Sequence, residues 1–230
     1  MNYLFDLDDT IYYQDQPFID TFELMFADRF SLDPVKLFIQ FRVHSEETFA
    51  RSEKNEISME DMYVYRIGEA FKDLGAEITR EEALEFQYTY ANLQHHLKLN
   101  DGMRTILDYC KDHDIFVSLI TNGPWEHQRQ KINSLGLGEW IDLDKILISS
   151  EVGFRKPGRE IYDMAVERFN LDLNETYFVG DSFDNDIAGA HNAGWKSIWF
   201  NHRHRTVNYD YNADYEVFTY EELLQLIKTL

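Results

Sequence analysis

YLFDLDDT, residues 3–10, is a short apolar run that ends abruptly in carboxylates. Tyr3 to Leu7 opens with three consecutive apolar residues, so it reads as a strand buried on both faces, the habit of parallel sheets. Five further runs rich in Val, Ile, Phe and Tyr read the same way: Ile115 to Ile120, Lys145 to Ser149, Thr176 to Val179, Lys196 to Phe200 and Tyr215 to Phe218. Helical spacing fills the intervals over about 103–113, 124–135, 157–169 and 184–193, with a last helix at 220–229. Pro157 suits a first helical position and Gly194 a position just past a helix end. This alternation predicts an α/β fold with a Rossmann-like, doubly wound parallel sheet.

From Gln14 to about Asn100 the pattern changes. Phe22, Met25, Phe26, Phe30 and then Leu37, Phe38, Phe41 recur at helical spacing, with no convincing strand. Asp33 before Pro34, Ser58 with Asp61, and Thr79 with Glu82 mark helix starts, the last two at capping-box spacing. About four helices are expected. The block follows the first strand, so the expected organisation is a core of residues 1–14 and 100–230 with an all-helical insertion at 15–99. Tyr63, Tyr65, Tyr88 and Tyr90, with the Phe22, Phe26, Phe30 stripe, read mainly as the core of that insertion.

Composition narrows the classes of function. An apolar fraction of 44% with 15% aromatics supports a proper core in 230 residues. A net charge of −20 opposes nucleic-acid polymers and anionic membrane, because binding a polyanion relies on a basic surface. No apolar run is long enough to span a bilayer, and the acidic N-terminal stretch does not resemble a secretory leader, so the expected compartment is the cytoplasm. The single cysteine, Cys110, excludes an intrachain disulfide and reads as helix packing. The same negative field opposes a small phosphorylated substrate, so an enzyme for one needs a metal ion and a well-placed cation.

In an open parallel sheet, ligands bind beyond the carboxyl ends of the strands. Those ends are polar here: Asp6, Asp8, Asp9 and Thr10; Thr121, Asn122 and Gly123; Glu151 to Lys156; Gly180, Asp181, Ser182, Asp184 and Asp186. Asp6 and Asp8, two apart, share a face if the strand continues. With Asp181 from another strand, they form a repelling cluster that a cation must neutralise, and an all-oxygen donor set suits Mg2+. Lys156 and Thr121 supply a cation and a hydroxyl for phosphoryl oxygens.

The four segments DLDDT (6–10), ITNG (120–123), GFRKP (153–157) and GDSFDND (180–186), in this order, resemble the signature of the haloacid dehalogenase superfamily over nearly the whole chain. That resemblance implies hydrolysis of a small phosphorylated metabolite through an aspartyl-phosphate, with Asp6 as nucleophile and Asp8 as acid and then base. It implies that Thr121 and Lys156 hold the phosphoryl oxygens. It also implies Mg2+ bound by Asp6, the Asp8 backbone carbonyl and Asp181, with Asp186 behind them orienting a metal-bound water or Lys156, and Asn122 and Ser182 as further contacts. The helical insertion is similar to the family's cap, expected to close over the sheet with hinges near 14–18 and 97–102. The stretch SSEVGFRKPGREIYDMA (149–165) is similar to members that dephosphorylate nucleoside monophosphates, pyrimidine nucleotides included. A monomer or homodimer is expected.

Other readings stand beside these. Asp9 reads as a turn cap, Asp184 as a helix cap, the NHRHR run at 201–205 as a solvated loop, and Arg155 as surface. His95 and His96 have no assigned role. A sugar phosphomutase would use the same residues, and a silent binding protein would be expected to lack one of them. A dehalogenase would lack Asp8.

Overall fold

In the computed structural model, which describes residues 1–53 and 56–230 with the side chains of 46 and 49–53 excepted, the chain opens on β1, Asn2–Phe5. Four helices follow: α1 Gln16–Phe26, α2 Pro34–Glu53, α3 Met59–Asp73 and α4 Arg80–Gln94. Then come α5 Asp101–Asp112, β2 Phe116–Thr121, α6 Trp125–Ser134, β3 Ile146–Ile148, α7 Ser149–Val152 and α8 Arg159–Phe169. The chain closes with β4 Thr176–Gly180, α9 Ala188–Ala193, β5 Lys196–Phe200, β6 Tyr215–Val217 and α10 Tyr220–Thr229. No helix among the described residues is long and apolar enough to cross a membrane.

The six strands form one sheet of order β3-β2-β1-β4-β5-β6, parallel at every pairing. Only crossover connections can join such strands, which is why a helix separates nearly every pair. β1 is central, and Tyr3, Leu4 and Phe5 are buried on both faces. Leu4 and Phe178, level with one another, pack with Ile120 and Leu147 against Ile161, Tyr162 and Ala165 of α8 and Ala190 and Ala193 of α9. Met103, Ile106, Leu107 and Cys110 form the buried stripe of α5, at the spacing that presents one helix face. Cys110 is a free, buried thiol whose pKa burial pushes up to about 12, so it packs as a small apolar group.

Contacts divide the chain into two units, Met1–Tyr13 with Lys98–Leu230, and Gln14–Leu97. The second unit is built of α1 to α4 around a core of aromatic rings, with Phe18, Phe22, Phe26, Phe41, Phe71 and Phe86 buried together. Tyr90 belongs to that core, but Tyr65 and Tyr88 are exposed. Thr79 and Glu82 make a reciprocal capping box at the start of α4. Ser58 accepts from the Asp61 amide, but its hydroxyl also donates to the Asp61 carboxylate, one methylene shorter than the glutamate of a full box.

Two helix starts differ from the sequence reading. Gly158, with ψ 136°, is extended and caps α8, so Pro157 lies outside the helix. Over Phe183–Ile187 the chain makes a wide π-type turn before α9, capped by Ser182, which accepts from the Asn185 amide. Asp184 is therefore not the cap; it is exposed and accepts from the Tyr209 hydroxyl.

Candidate active site

The order of strands places the site. In this order the connections reverse direction between β1 and β4, and the crevice beyond the carboxyl ends at such a reversal is the usual ligand position. Asp6 is the first residue after β1, and its amide donates to the Val179 carbonyl of β4 at 2.9 Å. Asp181 is the first residue after β4. The Asp181 amide donates to Thr10 Oγ1 at 3.1 Å, and Trp199 Nε1 donates to the Asp181 carbonyl at 2.9 Å, so its backbone is fixed from both sides.

Asp186 reaches the same point from the π-type turn, and Gly180 makes that possible. A Cβ on Gly180 would lie 2.2 Å from Asp186 Oδ2, so no other residue leaves room for this carboxylate. One carboxylate oxygen from each of Asp6, Asp181 and Asp186 lies within 4.8 Å of the others. Lys156 meets this group: its Nζ donates to Asp6 Oδ1 at 2.6 Å and to Asp186 Oδ1 at 2.7 Å, with the lysine side chain 2% exposed. Asn122 braces the lysine by accepting from its amide at 3.0 Å and donating to its carbonyl at 2.9 Å. Asp186 also accepts from the Ser182 amide at 3.0 Å. Asp186, expected to orient a metal-bound water or Lys156, accepts from the Lys156 ammonium and lies close to Asp6 and Asp181, and the Ser182 hydroxyl caps the turn.

Two buried carboxylates and the half-buried Asp181 gathered near one ammonium are short of positive charge. Burial pushes Asp6 up to about 7, with Lys156 pulling against it and Asp186 and Asp8 adding to the rise. Burial likewise pushes Asp181 up to about 8, helped by Asp186, Asp6 and Asp9 and opposed by Arg205. For Lys156, burial disfavours the charge, but Asp186 and Asp6 outweigh it and hold the ammonium protonated. A hard divalent cation with oxygen ligands fits this donor set, because it supplies the missing charge.

Asp8 turns to a different set of partners. Lys131 Nζ donates to its two oxygens at 2.7 and 2.8 Å, Gln128 Nε2 donates to Oδ2 at 3.1 Å, and the Tyr12 hydroxyl donates to Oδ1. Burial alone would raise the Asp8 pKa, but Lys131 and these hydrogen bonds bring it below the ordinary carboxylate range. Gln128 Nε2 also donates to Thr121 Oγ1 at 2.6 Å, tying the threonine to Asp8.

The sequence reading missed this arm of the site and misjudged another. Gln128 and Lys131 lie three apart on α6, immediately after the ITNG stretch, and a polar pair on one helix face beside a strand end was the available signal. The NHRHR run is not merely a solvated loop, and Asp9 is its ion-pair partner. Arg203 donates to both Asp9 oxygens at 2.7 and 2.8 Å, and Arg205 Nη1 donates to Asp181 at 3.2 Å. Asp9 sits at φ 63° and is buried, and a buried carboxylate requires such a partner.

The profile of the family described as haloacid dehalogenase-like hydrolase matches residues 3–200, and the chain belongs to that family. It is 36% identical over 112 residues to the pyrimidine 5'-nucleotidase YjjG of Escherichia coli K12, covering 48% of this chain and 49% of the relative. It is 31% identical over 130 residues to the glyceraldehyde 3-phosphate phosphatase of Pyrococcus furiosus, covering 55% of this chain and 53% of the relative. The chain thus spans about half the length of these curated relatives. The magnesium-bound crystal structure of the HAD-hydrolase YfnB from Bacillus subtilis matches with a TM-score of 0.67 at 24% identity, over 98% of this chain and 97% of that one, a likeness of fold.

Proposed function

We propose that this chain is a magnesium-dependent phosphomonoesterase that acts on small phosphorylated metabolites, nucleoside monophosphates among them. The observation that carries the reading is the buried Lys156 ammonium set between Asp6 and Asp186, with Asp181 in the same acidic group. An oxygen of Asp6 attacks phosphorus while the bond to the ester oxygen breaks, which gives an aspartyl-phosphate and an alcohol. Asp8 gives the departing oxygen its proton. It then takes a proton from the water that attacks the aspartyl-phosphate, so inorganic phosphate leaves and Asp6 is restored.

The partners of Asp8 favour its carboxylate, the form the second step needs. For the first step, an incoming phosphoryl dianion raises the cost of that negative charge and favours proton uptake. Lys156 and Thr121 hold the phosphoryl oxygens. Asn122, read from the sequence as a substrate contact, serves by fixing the backbone of Lys156. Asp6, Asp181 and the Asp8 backbone carbonyl would hold Mg2+, with Asp186 and the Ser182 amide supporting them. When bound, the ion supplies positive charge against the phosphoryl oxygens.

The relatives are named for a pyrimidine nucleotide and for a triose phosphate, which share the phosphomonoester and little else. Choice of metabolite is accordingly assigned to the helical insertion at 15–99, acting as a cap. The test is phosphate release from nucleotides, sugar phosphates and phosphoglycolate, with Mg2+ and with a chelator. Release that requires the metal is expected. No release from any substrate contradicts the reading, and isomerised sugar phosphate without free phosphate would replace it with a phosphomutase.

A further inference from the structure

Resting on the phosphomonoesterase reading, we propose that Lys131 and Gln128 are positioning residues that aim the Asp8 carboxyl at the leaving oxygen. Asp8 lies beyond the end of β1, where a single isolated bridge to Tyr12 replaces the sheet ladder and the strand no longer fixes its direction. The Tyr12 hydroxyl holds one oxygen from within the same loop, and the rest of the aim comes from α6. Lys131 spans both oxygens at 2.7 and 2.8 Å, and Gln128, 1% exposed, donates to Oδ2 at 3.1 Å.

The same Gln128 amide nitrogen donates to Thr121 Oγ1 at 2.6 Å and lies 3.1 Å from the Asn122 carbonyl. It therefore sets the acid-base carboxyl and the phosphoryl-holding hydroxyl at a fixed separation. Spacing of three residues puts Gln128 and Lys131 on one face of α6, so a single rigid element aims both. The side chains of Lys131 and Asp8 are 23% and 24% exposed, less open than a surface ion pair. An acid that must meet the departing oxygen within about half an ångström needs such support, because proton transfer depends steeply on geometry.

Leaving groups separate aiming from mere bracing. An alkoxide needs a proton as it departs, whereas p-nitrophenolate leaves as a stable anion. The value of kcat/KM covers every step up to that departure. Lys131→Met is expected to lower kcat/KM for an alkyl phosphate by roughly 100-fold and for p-nitrophenyl phosphate by less than about 10-fold, the scale of general acid catalysis. Lys131→Arg is expected to recover most of the loss, and Gln128→Leu, which also releases Thr121, to cost both substrates a common factor and the alkyl phosphate a further one.

The affinity for Mg2+, read from its effect on the unfolding midpoint, should stay close to that of the unaltered chain. Equal losses with both substrates, or no loss, in Lys131→Met would overturn the inference; if Lys131→Met does not fold, an unchanged alkyl-to-aryl ratio in Gln128→Leu overturns it. Absence of phosphate release by the unaltered chain overturns the phosphatase reading itself, a separate result.

Discussion

Asp6 lies where the backbone changes character, one residue past β1, with its amide still bonded to β4 and its carboxylate turned to Lys156. An amide at this position keeps the shape and loses the attacking oxygen. Asp6→Asn is expected to lower phosphate release by on the order of 1,000-fold or more, as loss of a nucleophile does elsewhere, with the fold kept by circular dichroism. Gly180 makes a sharper test of packing. Gly180→Ala drives a methyl into Asp186, so it should cost about 1–3 kcal/mol, the usual penalty for overpacking, and also weaken Mg2+ binding. Thermal unfolding with and without Mg2+ checks both effects, and an unchanged midpoint would contradict the close approach.

At the scale of elements, the sheet was legible because parallel strands leave continuous apolar runs, and because polar residues gather where such runs stop. The Lys196–Phe200 strand and the 220–229 helix fall where the residue pattern puts them. Pro157 misled because proline is at home both at a first helical turn and in the extended chain before one. The π-type turn at 183–187 was hidden because an extra residue per turn leaves little trace in periodicity. Partners of Asp8 and Asp9 were hidden for another reason: Lys131 and Arg203 lie 123 and 194 residues away in sequence, and side-chain pairing over such distances has no local signature.

His44 gives an element-level prediction within the helical unit. Burial works against its charged form, but Glu47 of α2 and Asp73 of α3, each at 2.8 Å, outweigh burial and raise its pKa. The stabilisation is therefore complete below the unfolded value of about 6.5 and is lost as pH rises through the folded value. The midpoint difference between the unaltered chain and His44→Gln should be larger at pH 6 than at pH 9; equal differences would contradict the pairing. Thr79→Ala, which removes one half of the α4 capping box, should cost about 1 kcal/mol by denaturant unfolding.

For the whole molecule, a net charge of −20 converging on a buried acidic group makes cation binding and protonation rivals. Asp6 and Asp181, near 7 and 8 in the folded metal-free chain and 3.8 ordinarily, hold protons that the unfolded chain releases. Stability of the metal-free chain consequently falls as pH rises from about 4 to 8. The facing charges are Lys156 and Arg205 on one side and Asp8, Asp9 and Asp186 on the other. An ion held there would displace those protons, so Mg2+ should raise the unfolding midpoint more at pH 8 than at pH 6. A shift of equal size at both would contradict proton displacement.

The proposed reaction turns on covalent transfer of a phosphoryl group to Asp6. The direct measurement is acid quench during turnover, followed by mass analysis of the peptide that carries residues 3–10. One phosphoryl group on Asp6 is predicted, formed with Mg2+, absent with a chelator and absent in Asp6→Asn. Sustained phosphate release by Asp6→Asn, or a phosphoryl group trapped on any other residue, would contradict it.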